Sequence, residues 1–142
     1  MDINYKEKFV EILKECRFMA LATADDNVPD VRLMDCLYSE KYPDRIFIVT
    51  DINSYKVKQF EKNSNVAVAT ISKGDHRFIR AIDAQIGRSE VAQEEIWEDI
   101  KDKMFWLETV PEEKKKDFVL YEIAIKKAVV QYGAANSSVV EI

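Results

Sequence analysis

Hydrophobic and polar positions recur along this chain with two periods, near 3.6 and near 2, and the switches between them mark its elements. Tyr5, Phe9, Ile12, Leu13 and Cys16 fall at helical spacing behind Asn4, with Glu7 three residues on, which predicts a capped amphipathic helix over 5–16. Residues 17–23 (RFMALAT) form a nearly unbroken apolar run, short enough for a strand buried on both faces. Ala24-Asp25-Asp26-Asn27 reads as a turn, and a second strand follows over 28–38. Alternation puts Arg32, Met34, Cys36 and Tyr38 on one face of that strand and Val31, Leu33, Asp35 and Leu37 on the other.

After a polar loop at 39–45, a β-branched run at 46–50 (IFIVT) predicts a strand that stops at Asp51-Ile52-Asn53-Ser54. Helical spacing then covers 55–62, Asn63-Ser64-Asn65 ends it, and 66–71 is a further strand. A turn at Ser72-Lys73-Gly74-Asp75 leads into a long alternating strand, with Phe78, Ile82, Ala84 and Ile86 on one face and Ile79, Ala81, Asp83 and Gln85 on the other. Gln93-Glu94-Glu95 gives the next helix an acidic start, and its apolar stripe is Ile96, Ile100, Met104 and Leu107. Pro111 begins a short segment, 118–130 is a last strand, and 133–142 carries no strong signal. Six strands in hairpin-like succession with three or four helices predict a mainly β, α+β fold: a mostly antiparallel sheet closed as a small barrel with peripheral helices.

Composition narrows the function. The 142 residues suffice for one domain over 1–142 with a real core, and no Gly- or Ser-rich linker divides them. A net charge of −5, with basic clusters only at Lys114-Lys115-Lys116 and Lys126-Lys127, argues against a nucleic-acid partner. No apolar run approaches the roughly 20 residues that span a bilayer, and MDINYKEKF has no signal core, so a cytoplasmic protein without a membrane partner is expected. Cys16 and Cys36 are too few and too separated for a disulfide framework or a CxxC motif, and read as buried free thiols. His76 is the only histidine and stands in a polar turn with no nucleophile motif beside it; one His and two scattered Cys make no metal site. Neither GxGxxG nor GxxxxGK[ST] occurs. With so few reactive side chains, any difficult chemistry falls to a bound cofactor.

The turn between 46–50 and 55–62 is the strongest candidate site. A strand running straight into a helix start offers free N–H groups, and here Thr50, Ser54 and Lys56 add hydroxyls and an ammonium, the donor set for a phosphate. Taken singly, Ser54 could be only an N-cap and Lys56 only a solvated lysine. Arg32, mid-strand, needs an anion: either a carboxylate such as Asp35 or a ligand phosphate.

The block Val49-Thr50-Asp51-Ile52-Asn53-Ser54-Tyr55-Lys56, continuing through Glu61-Lys62-Asn63-Ser64-Asn65-Val66, resembles the flavin-phosphate segment of the pyridoxamine 5′-phosphate oxidase-like family, the FMN-binding split barrels. In that family a strand ending in Thr meets a Ser-x-Lys helix start, and an Asn-Pro pair closes the helix; Ser64 stands here in place of the Pro. Met19-Ala20-Leu21-Ala22-Thr23 and Pro29-Asp30-Val31-Arg32 resemble the family's opening hairpin, which ends in a phosphate-binding Arg. Arg80-Ala81-Ile82-Asp83-Ala84-Gln85 resembles a later strand, with Ala84 where Gly is common. The resemblance covers about residues 5–90. It implies a split barrel that binds FMN through Arg32, Thr50, Ser54, Tyr55 and Lys56, with backbone around Leu33, Met34 and Val49 lining the ring. It further implies a cofactor at a homodimer interface and a flavin-dependent oxidoreductase acting on an unidentified small molecule or electron donor, or alternatively a non-catalytic flavin- or haem-binding protein. Tyr38, Tyr55 and His76 are the available acid–base groups, none supported by a motif. True pyridoxamine-phosphate oxidases carry a C-terminal Arg-x-His element and a second phosphate-binding base. This chain has no Arg after Arg88 and has Leu37 at the second position, so pyridoxamine 5′-phosphate is rejected as substrate.

Overall fold

In the computed structural model, which describes residues 2–142, each element begins where its local chemistry dictates. Asn4 Oδ1 accepts the Glu7 amide at 3.2 Å and caps α1 (Tyr5–Glu15). Strands β1 (Phe18–Asp25) and β2 (Val28–Asp35) form a hairpin whose two-residue turn, Asp26-Asn27, takes positive φ at both positions (49° and 64°). That conformation matches the twist of the flanking strands, and Asp and Asn tolerate it best after Gly. Next come β3 (Arg45–Asp51), α2 (Tyr55–Lys62), β4 (Asn65–Thr70), β5 (Arg77–Arg88) and α3 (Gln93–Ile100). Two 3₁₀ turns, α4 (Glu112–Lys115), β6 (Phe118–Tyr132) and β7 (Ser137–Glu141) complete the chain.

All pairings are antiparallel, in the order β2-β1-β4-β5-β6-β3, with β7 also on β6. The 15-residue β6 pairs with β3 along its first half and with β7 along its second. The sheet curls until its two outer strands meet at one point: Leu37, just beyond β2, exchanges backbone hydrogen bonds with Phe47 of β3 at 2.8 and 3.3 Å. Beyond that bridge β2 and β3 diverge. This is the split barrel the sequence predicts, with a seventh strand added in the tail.

Strand β3 is buried on both faces, which is why 46–50 reads as one apolar run. Ile46 and Ile48 face the barrel core with Phe9, Leu13, Val57 and Phe60; Phe47 and Val49 face a second core under Ile96, Ile100 and Met104. Each such side chain contributes roughly 1.5–3 kcal/mol by burial. Two expectations need correction. Strand β1 buries only the face carrying Met19, Leu21 and Thr23, because the Ala20–Ala22 face has no layer of this chain over it. On β5, Ile79 and Ala81 point inward together with Ala84 and Ile86, because irregularities flanking Asp83 shift the register and swap the faces. Among the described residues no helix is long and apolar enough to cross a membrane.

Candidate functional site

Continuing the Leu37–Phe47 register would set Met34 beside Thr50 and Arg32 beside the start of the β3–α2 turn; instead the strands part, and the gap is the candidate site. Its inner end is a cleft of about 420 Å³ lined by Phe18, Leu33, Met34, Asp35, Leu37, Val49 and Trp106. Leu33, Met34 and Val49 thus share the lining of one cleft. Trp106 reaches the cleft from the second 3₁₀ turn, with its indole N–H donating to Asp35 Oδ2 at 2.8 Å. The segment bearing it is tied down by Asp99 on Ser39 (2.6 Å) and Glu95 on Tyr42 (2.7 Å).

The outer end is polar. Thr50, at the end of β3, is buried, and its hydroxyl accepts from Lys56 Nζ at 2.9 Å. Helix α2 lies against β1 through Gln59, whose Oε1 accepts from the Thr23 hydroxyl at 3.0 Å and from Arg32 Nη2 at 2.6 Å. Arg32 also donates to Thr23 Oγ1 (3.0 Å) and to the Leu21 carbonyl (3.3 Å), and pairs with Asp30 at 2.9 Å. The carboxylate that Arg32 finds is therefore Asp30, not Asp35. Gln59 holds the Asp30 carboxyl below its ordinary range by a hydrogen bond, helped by the charge of Arg32.

Lys56 is not the solvated lysine of the plainer reading. Burial and the positive charge of Arg32 lower its pKa from 10.5, partly offset by Asp51. Ser54 stands at the N-cap of α2, yet its side chain makes no capping bond, and its Oγ is buried without a partner among the described residues. A buried hydroxyl left unpaired costs on the order of 1–3 kcal/mol, so Ser54 Oγ is a group that a ligand could satisfy with gain. The other such atom is Tyr121 Oη, whose ring packs edge-on to Phe60 of the same helix. Two cations, two hydroxyls and the free N–H groups of a helix start fit a dianionic phosphate. Tyr55 does not join this cluster: it is 66% exposed at the outer start of α2.

Reasoning from sequence missed Gln59 and Trp106. A polar residue three positions after Lys56, between the buried Val57 and Phe60, was the available signal for Gln59. Nothing local marks Trp106, which acquires its place by long-range packing. His76 lies in the β4–β5 turn at φ 56°, outside the cleft. Among the described residues no group of three or more His, Cys, Asp or Glu could hold a metal ion.

A split antiparallel barrel with an apolar cleft and a polar cluster where its outer strands part defines the class. Residues 5–132 match the family described as pyridoxamine 5′-phosphate oxidase, and the chain belongs to that family. No curated protein matches it. Among solved structures it resembles general stress protein 26 of Bacillus anthracis at 19% identity, over 99% of this chain and 100% of that one, with a TM-score of 0.70. A FAD-binding protein of Mesorhizobium loti is 17% identical over 90% of this chain and 94% of its own, with a TM-score of 0.70. A haem-binding protein of Mycobacterium smegmatis is 8% identical over 99% of this chain and 59% of its own, with a TM-score of 0.74.

Proposed function

We propose that the protein binds FMN where β2 and β3 part, as a cytoplasmic homodimer, and works as a flavin-dependent oxidoreductase on a small molecule other than pyridoxamine 5′-phosphate. The observation that carries this reading is the unpartnered Ser54 hydroxyl at the same strand-to-helix turn as Thr50 and Lys56, whose pKa burial and the charge of Arg32 depress. Arg32, Thr50, Ser54 and Lys56 would hold the phosphate, and backbone around Leu33, Met34 and Val49 would line the ring in the adjoining cleft. A phosphate monoester, with two negative charges, suits two cations better than the singly charged phosphates of FAD, so FMN is favoured.

The bound flavin would supply two-electron hydride chemistry, which no side chain of this protein offers. The chain's own residues anchor the phosphate, keep the cleft apolar and orient Asp35 through Trp106. Dimerisation is supported by the outer face of β2, where Val31 and Leu33 stay 63% and 68% exposed beside the open alanines of β1. Leu33 is both on that face and in the cleft lining, so a second copy seated there would complete the cleft.

A second reading, a non-catalytic flavin-binding or sensing protein, is favoured by the absence of any His, Tyr or Lys from the cleft lining, which leaves only Asp35 to move a proton. Haem is disfavoured for the same reason, since the one His lies elsewhere.

The test is the visible spectrum of the purified protein, followed by NADH or NADPH. Flavin bands that bleach rapidly support the reductase; bound flavin that resists both donors supports the sensor. Colourless protein that ignores added FMN would sink both.

A further inference from the structure

A second piece of chemistry lies at the start of β1, behind the apolar end of the cleft and away from the polar cluster, and its test does not depend on flavin. Cys16 follows α1 and Cys36 follows β2, and the hairpin register draws them together: Phe18 pairs with Asp35, and the Cys36 amide donates to the Arg17 carbonyl at 3.1 Å. Lys103 Nζ, arriving from beyond α3, donates to the carbonyls of both Cys16 (2.5 Å) and Cys36 (2.6 Å). One ammonium thus clamps the two cysteine backbones so that their oxygens stand no more than about 5 Å apart. Both side chains lie in the same buried core, so the pairing and the clamp bring the two cysteines into one corner of it. Cys36 is fully buried. Cys16, its thiol also directed at the Phe18 carbonyl (3.0 Å), lines a separate cleft with Thr70, Ile71, Lys73 and Arg77. That cleft offers about 40 Å³, room for a molecule slightly larger than water.

We propose that Cys16 and Cys36 are a modification site: a dithiol that a small hydroperoxide, entering by the Cys16 cleft, converts to an intramolecular disulfide. Cys16 loses its proton and its sulfur attacks one peroxide oxygen; the O–O bond breaks, and the departing hydroxide leaves as water with that proton. The Cys16 sulfenic acid is then attacked by the Cys36 sulfur. The S–S bond forms, the S–O bond breaks, and the hydroxyl departs with the Cys36 proton as a second water. Two thiols and one hydrogen peroxide give one disulfide and two waters, the sulfurs losing the two electrons that the peroxide gains. The asymmetry of the pair suits this order. Contact with Cys36 and the positive charge of Lys103 lower the Cys16 pKa against its burial, while Cys16 and full burial push the Cys36 thiol up. Both thiols are buried, but Cys16 borders a cleft and is the better thiolate, while the fully enclosed Cys36 resolves.

The experiment treats the full-length protein with hydrogen peroxide, unfolds it in an alkylating agent and measures its mass. The expected result is loss of both alkylatable thiols, a chain lighter by two hydrogens, a peptide joining Cys16 to Cys36, and complete reversal by dithiothreitol. Cys36→Ser should stop at a dimedone-trapped sulfenic acid on Cys16, and Cys16→Ser should slow thiol loss at Cys36 at least tenfold. Two thiols that stay free while methionines oxidise would overturn the proposal, as would a disulfide found only between chains. Because the mass of the unmutated protein decides it, a variant that fails to fold does not rescue the idea.

Discussion

Replacing Lys56 with Met should weaken FMN binding while leaving the unliganded protein about as stable as before, and that split separates a ligand-binding lysine from a structural one. The substitution keeps an unbranched stem of similar length on α2 and deletes the charge. In the unliganded protein the charge is a burden: burial and Arg32 both disfavour it, as its lowered pKa records. Against that relief stands the buried Thr50 hydroxyl, which loses the Lys56 donor at 2.9 Å. A lost hydrogen bond of this kind costs about 1–3 kcal/mol, and removing an ammonium that burial and Arg32 disfavour offsets part of it, so the unfolding free energy should fall by less than that hydrogen bond alone would take. With FMN bound the sign is clear. A charge-assisted hydrogen bond to a phosphate contributes roughly 1.5–3 kcal/mol, which is a ten- to hundredfold or greater rise in Kd. Flavin fluorescence titration reads the affinity, urea denaturation without flavin reads the stability, and riboflavin, which lacks the phosphate, is the control. Riboflavin should bind both proteins equally. If Lys56→Met weakens riboflavin as much as FMN, or leaves FMN affinity untouched while lowering stability, the phosphate has been misplaced.

Arg32→Ala should weaken FMN by a similar 1.5–3 kcal/mol and, unlike Lys56→Met, also destabilise the unliganded protein by about 1–3 kcal/mol, because Thr23, Gln59 and Asp30 all lose a donor; the same titration and denaturation check both. Lys56 titrates lower in the folded protein than its ordinary 10.5, so between the two values the unfolded chain holds a proton the folded one has shed. Unliganded stability should therefore rise with pH across that window, and FMN affinity should fall across it as binding has to restore the proton; Lys56→Met should flatten both profiles. Leu33→Asp should turn a proposed dimer of 16.5 kDa chains into a monomer by light scattering and reduce flavin uptake, since like charges would face each other across a two-fold axis.

The elements that the sequence foretells best are those whose ends are set by local chemistry. The bounds of α2 are read correctly because Ser54 and Asn63 punctuate them, and the Asp26-Asn27 turn because few residues accept its dihedrals. Long-range pairing decides the rest. Strand β7 lies where the tail gives no signal, because SSVVE becomes a strand only by taking the free edge of β6. The face swap in β5 follows from register irregularities, which leave no mark in an alternating pattern that runs straight through Ile82 and Asp83. The β1 run looks two-sided because small alanines fill its outer face, and hydropathy cannot distinguish a face covered within the chain from one left open.

The site divides the same way, and the division bears on what it is for. Thr50, Ser54 and Lys56 are legible because they sit within seven consecutive positions of one turn. Gln59 becomes part of the site only when α2 docks on β1, and Asp30 only when β2 pairs beside it. Those two partners satisfy Arg32, while Lys56 has only the Thr50 hydroxyl and a partial offset from Asp51, and Ser54 Oγ has no partner among the described residues. A protein selected for stability alone would fill that corner with an apolar residue, which costs nothing to bury and repels no arginine. The arrangement is economical only for a state in which an anion answers both the ammonium and the hydroxyl. Asp30, half-exposed, holds the guanidinium with a single oxygen that an entering phosphate can displace. On the proposed reading, the stability forgone in the unliganded protein is recovered when the phosphate binds, which is what the Lys56 and Arg32 variants measure.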